Sequence, residues 1–286
     1  MVEGPTAKAY SIKISRGFNG EIVKNVLVKS RKTFLDPKEL LNKMFLGSDS
    51  IVKNVLVKSR KTFLDPKELL NKMFLGSDSI GKNILLSFDG ITVRVHLMMF
   101  GTIHIYEANE PLQKPIERVR LLIEGLKKKL TVYNAPIIEI DEKGALIERL
   151  KSTLGPDPLS SEWNNWEAIN NILKHKKEKI GVILLDQSVI SGIGNILRNE
   201  ILFRAKISPE RRVENMSEDE VKRVVEVCKI LSEDFLKLKV EGKSIKQMLN
   251  VYNKYRGKCN YCGGPIRFYM QKPINRKTFV CETCQI

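Results

Sequence analysis

Apolar positions along this chain follow two different periods. Asn83–Phe88, Ile91–Met98 and Thr102–Tyr106 are short, β-branched or alternating blocks that predict strands, and Asp89-Gly90 between the first two is a hairpin turn signal. Beyond residue 162 the period lengthens to that of a helix. Trp166, Ile169, Ile172 and Leu173 share one predicted face. Ser217-Glu218-Asp219-Glu220 is a capping box opening a second helix, lined on one side by Val221, Val224, Val225, Cys228, Leu231 and Phe235. Cys228 on that stripe reads as a core cysteine. A polar stretch around 141–162, with Gly155-Pro156-Asp157-Pro158, predicts a linker. The pattern gives an α+β, multidomain chain: a mainly β region over 1–140 that starts with a helix, a helical region over 141–250, and a short terminal segment over 251–286.

The β region contains an exact tandem repeat. Residues 22–50 read IVKNVLVKSRKTFLDPKELLNKMFLGSDS, and residues 51–79 repeat all 29 without a difference. Identity at surface positions as well as apolar ones is more than packing requires, and two units are too few for a solenoid. Each copy predicts a strand over Val23–Ser30 and then a helix. Asp36, Pro37 and Glu39 stand at its N-cap, N1 and N3, Leu40, Leu41, Met44 and Phe45 form its apolar face, and Gly47 ends it. One domain needs one copy; the other is extruded or adds an edge element.

Composition narrows the class. At 42% hydrophobic the 286 residues can build packed cores, and no run of 18 uninterrupted apolar residues is present. The net charge of +16 points to a polyanionic partner, nucleic acid first, over an anionic membrane surface or a merely Lys- and Glu-rich exterior. No apolar segment of a secretory signal opens the chain, so an intracellular, reducing setting is expected. In that setting Cys259, Cys262, Cys281 and Cys284, two C-x₂-C pairs eighteen residues apart, predict one structural zinc ion rather than disulfides or free thiols.

Two further segments carry candidate chemistry. If Met1 is removed, the free α-amine of Val2 lies one residue from the Glu3 carboxylate. An α-amine with a pKa near 8 is partly neutral at pH 7, so it can attack a carbonyl or a sugar C1′, with the neighbouring acid shuttling protons. Separately, Asp186–Asn195 joins two predicted helices through Gly192 and Gly194. Uncovered backbone amides and the Asn195 side chain there suit a phosphate, although a plain helix–helix turn has the same composition.

Taken together, MVEGP at the start, HLMMFG at 96–101, LGPDPLS at 154–160, LLDQSVISGIGNILRNEILFRAKISP at 184–209 and NRKTFVCETCQ in the Cys₄ segment resemble the formamidopyrimidine-DNA glycosylase / endonuclease VIII family. The resemblance spans nearly the whole chain apart from the extra repeat copy. It implies an N-terminal β-sandwich, a helix–two-turns–helix domain and a zinc-finger β-hairpin. It also implies excision of oxidised bases from DNA followed by strand nicking. By the same resemblance Val2 is the nucleophile, Glu3 the proton-shuttling acid, and Lys82 and Asn195 contact phosphate. Arg276 is the arginine at the tip of the finger hairpin, and Met99 is the methionine that fills the gap left by the flipped base.

The chain departs from the family pattern in informative places. Valine replaces the usual proline at position 2, as in the vertebrate Nei-like branch with an N-terminal valine, and Thr6 stands where many members carry a second glutamate. TVYNAPIIE at 131–139 lacks the Arg-Phe pair that supports the gap-filling methionine, and Leu236–Tyr252 leaves little room for a loop covering 8-oxoguanine. The expectation is therefore a Nei-like glycosylase/lyase acting on oxidised pyrimidines or hydantoins in single-stranded or duplex DNA. It is expected to be a monomer unless the repeat drives association, with no membrane partner. A monofunctional glycosylase, 8-oxoguanine or Fapy-type excision, and a non-catalytic damage-binding protein remain the alternatives.

Overall fold

The computed structural model describes residues 2–28, 66–142 and 144–286, and its contacts divide the chain into two units. The first comprises residues 1–2, 10–79 and 83–149; the second comprises residues 3–9, 80–82 and 150–286.

The first unit is a β-sandwich. Its elements in chain order are the greater part of helix α1 (Gly4–Phe18), then β1 (Asn25–Val28), a 3₁₀ turn (Pro66–Leu69), β2 (Phe74–Ile80), β3 (Asn83–Phe88), β4 (Ile91–His96), β5 (Thr102–Glu107), β6 (Val119–Glu124), β7 (Lys128–Tyr133) and β8 (Ile137–Glu142). One sheet has the order β1-β6-β7-β5 and the other β2-β3-β4-β8. The period-two pattern sets the faces: Val93 and Val95 of β4 are buried, while Thr92 and Arg94 are only partly covered. The β3–β4 hairpin closes through Asp89-Gly90, with Phe88 opposite Ile91, as the turn signal predicts.

The repeat enters this sandwich in two pieces. β1 comes from the first copy and pairs antiparallel with β6. The 3₁₀ turn and β2 come from the second copy. The pieces join directly: the Val23 amide donates to the Lys72 carbonyl at 3.0 Å, the Asn71 amide to the Val23 carbonyl at 2.8 Å, and the Phe74 amide to the Glu21 carbonyl at 2.9 Å. The described residues thus hold the opening of copy one against the close of copy two.

Three expectations are corrected here. In the second copy the anticipated helix is a single turn, and Phe74, equivalent to Phe45, opens a strand; the first copy's helix lies outside the described residues. A helix this short is marginal alone. Phe74 instead packs edge-on between Phe18 and Phe88, with ring centroids 5.4 Å from each. The stretch read as a linker contains helix α2 (Ala145–Thr153), with Leu146 and Leu150 buried one turn apart and Asp141 accepting from the Leu146 amide at 3.0 Å. Trp166 is 67% exposed, so the predicted apolar face loses its first member and keeps Ile169, Ile172 and the partly buried Leu173, with Ala168 added.

The second unit adds α3 (Asn165–Leu173), the short α4 (Ile180–Ile183), α5 (Asn195–Arg204), α6 (Glu218–Val240) and the hairpin β9 (Ile266–Gln271) with β10 (Arg276–Cys281). The Ser217 capping box forms as predicted, with both reciprocal bonds, and the α6 stripe including Cys228 is buried against α3 and α5. Burial pushes the Cys228 thiol well above its ordinary value, as suits an inert core group.

Candidate active site and nucleic-acid interface

Helix α5 starts at Gly194, which has no side chain to cap it. Glu3 supplies the cap from the other end of the sequence. Its carboxylate accepts from the Ile196 amide at 2.7 Å and the Leu197 amide at 3.1 Å, the second and third amides of the helix. The glycines of this segment make the approach possible. A Cβ on Gly194 would stand 2.5 Å from the Glu3 carboxyl carbon. Gly192 adopts φ +85°, and its carbonyl accepts from the Gly4 amide at 2.8 Å. Glu3 is fully buried, and burial raises its pKa above the ordinary carboxylate value against the opposing pull of Lys82 and the two amides.

Lys82 lies in the same unit, on a turn in which Gly81 takes φ +56° and donates its amide to Asp157 Oδ2 at 2.7 Å. The Lys82 ammonium donates to the Ile193 carbonyl at 2.7 Å, within the glycine turn. Desolvation lowers its pKa, the Glu3 charge works against that, and Arg276 adds to the lowering. Glu3 and Lys82 are therefore each shifted in the direction of their neutral forms, as buried groups that exchange protons often are.

In the first unit the Val2 nitrogen donates to the Met98 carbonyl at 3.1 Å. Met98 has φ +50°, and the Gly101 amide closes the turn on the Leu97 carbonyl at 2.9 Å. The turn that fixes the Val2 nitrogen thus displays Met98, Met99 and Phe100 in succession, with Met99 49% and Phe100 76% exposed. The family resemblance points to Met99 alone, yet Phe100 beside it is the more exposed. Three consecutive apolar residues after a strand break its alternation, and that was the available signal. Residues 131–133, by contrast, are buried in β7.

Asn195 is buried. Its amide nitrogen donates to the Lys277 carbonyl at 2.9 Å, and its Oδ1 has no protein partner. The same carbonyl accepts from Arg198, a buried guanidinium that sequence reading did not single out. Arg198 also donates to Gln271 Oε1 at 2.6 Å, Thr278 Oγ1 at 2.7 Å and the Gly181 carbonyl at 3.1 Å. Burial pushes its pKa down to about 10. These bonds anchor β9 and β10 to α5 and leave Arg276 exposed where β10 begins.

At the base of the hairpin the sulfurs of Cys259, Cys262, Cys281 and Cys284 all lie within 4.8 Å of one another. The Tyr261 and Gly264 amides each point at a sulfur at 3.4 Å, and none of the four cysteines is in a disulfide. Four convergent thiols with amide donors form a set able to hold one metal ion; tetrahedral zinc–thiolate bonds of about 2.3 Å put sulfurs ~3.8 Å apart.

Comparison with known proteins decides the family. The formamidopyrimidine-DNA glycosylase H2TH domain model matches residues 154–248. A formamidopyrimidine-DNA glycosylase of Heliobacterium modesticaldum is 30% identical over 217 residues, covering 70% of this chain and 77% of that protein. An endonuclease 8 1 of Mycobacterium tuberculosis is 30% identical over 214 residues, covering 68% and 77%. The chain belongs to the formamidopyrimidine-DNA glycosylase / endonuclease VIII family. The fold agrees: the Lactococcus lactis formamidopyrimidine-DNA glycosylase, solved non-covalently bound to DNA containing an AP site, superposes with a TM-score of 0.78 at 23% identity, covering 99% of each chain. The family members named include both of its branches, so membership fixes the class of chemistry and leaves the lesion to the chain's own residues.

Proposed function

We propose that this glycosylase of base-excision repair works through the Val2 amine as a bifunctional glycosylase/lyase of the Nei-like branch. The observation that carries the reading is the placement of Glu3: a buried, proton-shifted carboxylate one residue from the reactive nitrogen and locked onto the N-terminus of α5. Once Met1 is removed, the Val2 lone pair attacks C1′ of the damaged nucleotide, the N-glycosidic bond breaks, and a proton delivered through Glu3 accompanies the departing base. The nitrogen gives up a proton and the C1′–O4′ bond opens, O4′ taking a proton to become a hydroxyl, which leaves an iminium between Val2 and C1′. Abstraction of a C2′ proton then expels the 3′ phosphate by β-elimination.

The other residues bind and position. Lys82, Asn195 and Arg276 grip phosphates, giving affinity that falls steeply with salt. Met99 and Phe100 form the apolar wedge that enters the stack when the damaged base turns out, so one loop supplies what the missing Arg-Phe pair does not. The four cysteines hold zinc, whose part is to fix the finger fold. The short Leu236–Tyr252 segment favours oxidised pyrimidines or hydantoins. Single-stranded sites suit it because their bases are already unpaired.

The test is excision on single-stranded and duplex oligonucleotides carrying thymine glycol, a hydantoin or 8-oxoguanine. Preference for the first two, lost in Glu3→Gln, is expected. A preference for 8-oxoguanine paired in duplex would reverse the branch assignment.

A further inference from the structure

The finger hairpin has two faces of different character. Gln271, Tyr269 and Thr278 point to the helical part of the second unit, where they bond Arg198, Glu210 and Arg198 respectively. The opposite face carries Phe268 and Met270 of β9, which pair in register with Phe279 and Lys277 of β10. Tyr255, from the segment before the first cysteine, packs edge-on against Phe268 at 4.8 Å and Phe279 at 5.0 Å. Phe279 is buried, but Tyr255, Phe268 and Met270 are 45%, 39% and 40% exposed. The Lys277 ammonium lies 5.7 Å from the Tyr255 ring centroid. Residues 251–286 carry seven Lys or Arg against one Glu. Nothing in the catalytic reading uses this face.

Half-exposed rings with cations among them match the physical demands of unpaired nucleotides. Every base has a π-face to stack, and every linker a charge to neutralise. A protein partner of matching apolarity would have to be acidic as well, whereas a nucleic-acid strand satisfies both conditions at once. Arg276 pairs with Gln271 and Lys277 with Met270, so the two cations stand on opposite faces of β10, and a strand held at Arg276 reaches the ring-bearing face by crossing the tip of the hairpin. We propose that Tyr255, Phe268 and Met270, with Lys277, form a stacking surface for unpaired nucleotides of a DNA single strand. The surface acts independently of lesion chemistry, although its identification as a DNA surface rests on the glycosylase reading above.

The probe is an undamaged, fluorescein-labelled oligo-dT of fifteen nucleotides, titrated with the full chain and followed by anisotropy. Tyr255→Ser and Phe268→Ser should each weaken single-strand affinity about fivefold or more. Affinity for an undamaged duplex of equal length should change less than twofold. Phe268→Trp should keep wild-type affinity, because the face requires a ring rather than a particular residue. Lys277→Ala should lower the slope of log affinity against log salt by about 0.7, the value for one phosphate of a single strand. Equal losses on single strand and duplex, with zinc lost from the serine variants, would mean that the rings only support the finger and would overturn the proposal. So would a concentration-dependent dimer that Phe268→Ser dissociates while single-strand binding is unchanged, because the face would then belong to a second copy. Borohydride trapping on lesion DNA by the same variants separates the two readings. Trapping without the stacking effect removes only the surface, and stacking without trapping removes only the catalytic assignment.

Discussion

Because the two repeats are identical, removing any 29 consecutive residues that begin between 22 and 51 yields the same shorter chain. That chain should keep its activity and gain stability. In the structure Ile22 bridges Met73 in antiparallel sense, and Val23 bonds both Asn71 and Lys72. Val28 and Pro66 therefore lie on the same side of this junction. Val28 is five residues from Val23, and Pro66 six from Lys72. At ~3.3 Å per residue, each lies within ~20 Å of the junction. After the deletion, eight residues (KSRKTFLD) join them in place of residues 29–65, thirty-seven in all. Eight residues reach ~30 Å, enough for ends on the same side. Chain length alone then lowers the closure cost by (3/2)RT ln(37/8), about 1.4 kcal/mol. For a domain of this size that raises Tm by roughly 3–5 °C. Calorimetry on the two chains measures the shift, and excision on a thymine-glycol oligonucleotide measures the activity. A lower Tm or lost excision in the 29-residue deletion would refute the reasoning, since the contacts seen would then depend on residues the deletion removes.

Four further perturbations probe the site. Glu3→Gln should abolish excision while sparing DNA affinity, read by anisotropy against kcat. The raised pKa of Glu3 means that it favours the fold most below about pH 4.5, its unfolded value, and that this contribution is lost as pH rises through the folded value. Glu3→Gln should therefore gain stability relative to wild type as pH increases from 4 to 8, a trend that urea titrations at each pH would show or deny. Gly194→Ala sets a methyl against the Glu3 carboxyl at 2.5 Å, so single-turnover excision should fall by more than tenfold even where the fold persists. Arg198→Met leaves the Gly181 carbonyl, the Gln271 amide oxygen and Thr278 Oγ1 without the Arg198 donor, costing about 3 kcal/mol and weakening DNA affinity through the finger; unchanged affinity would deny the brace its role. Chelation of the metal should weaken DNA binding and lower the Tm of the second unit, with both restored by added zinc.

How much of this was legible in the sequence depended on whether the cause was local. The capping box at Ser217, the Asp89-Gly90 hairpin and the four cysteines are set by neighbouring residues, and the structure forms each as spelled. The close approach at Gly194 was legible only as an anion-suited turn, because the group that fills it, Glu3, lies far away in the chain, 193 residues before the Ile196 amide it accepts from. Arg198 was hidden for a related reason: an arginine on a polar-looking helix face reads as solvated until the hairpin that covers it is in place. The second copy's helix failed because pairing of β2 and the rings around Phe74 outweighed a short run of local helix signals. Phe100, in HLMMFG, is legible only as a break in strand alternation, which does not by itself say that the ring is exposed.

The central claim is that the Val2 amine, served by Glu3, is the reacting group. Borohydride reduction of the enzyme on lesion-bearing DNA, followed by peptide mapping of the cross-link, tests it most directly. The account predicts a covalent adduct on residue 2, absent when Met1 is retained behind an N-terminal tag and absent in Glu3→Gln. An adduct on a lysine, or undiminished trapping by the tagged protein, would contradict it.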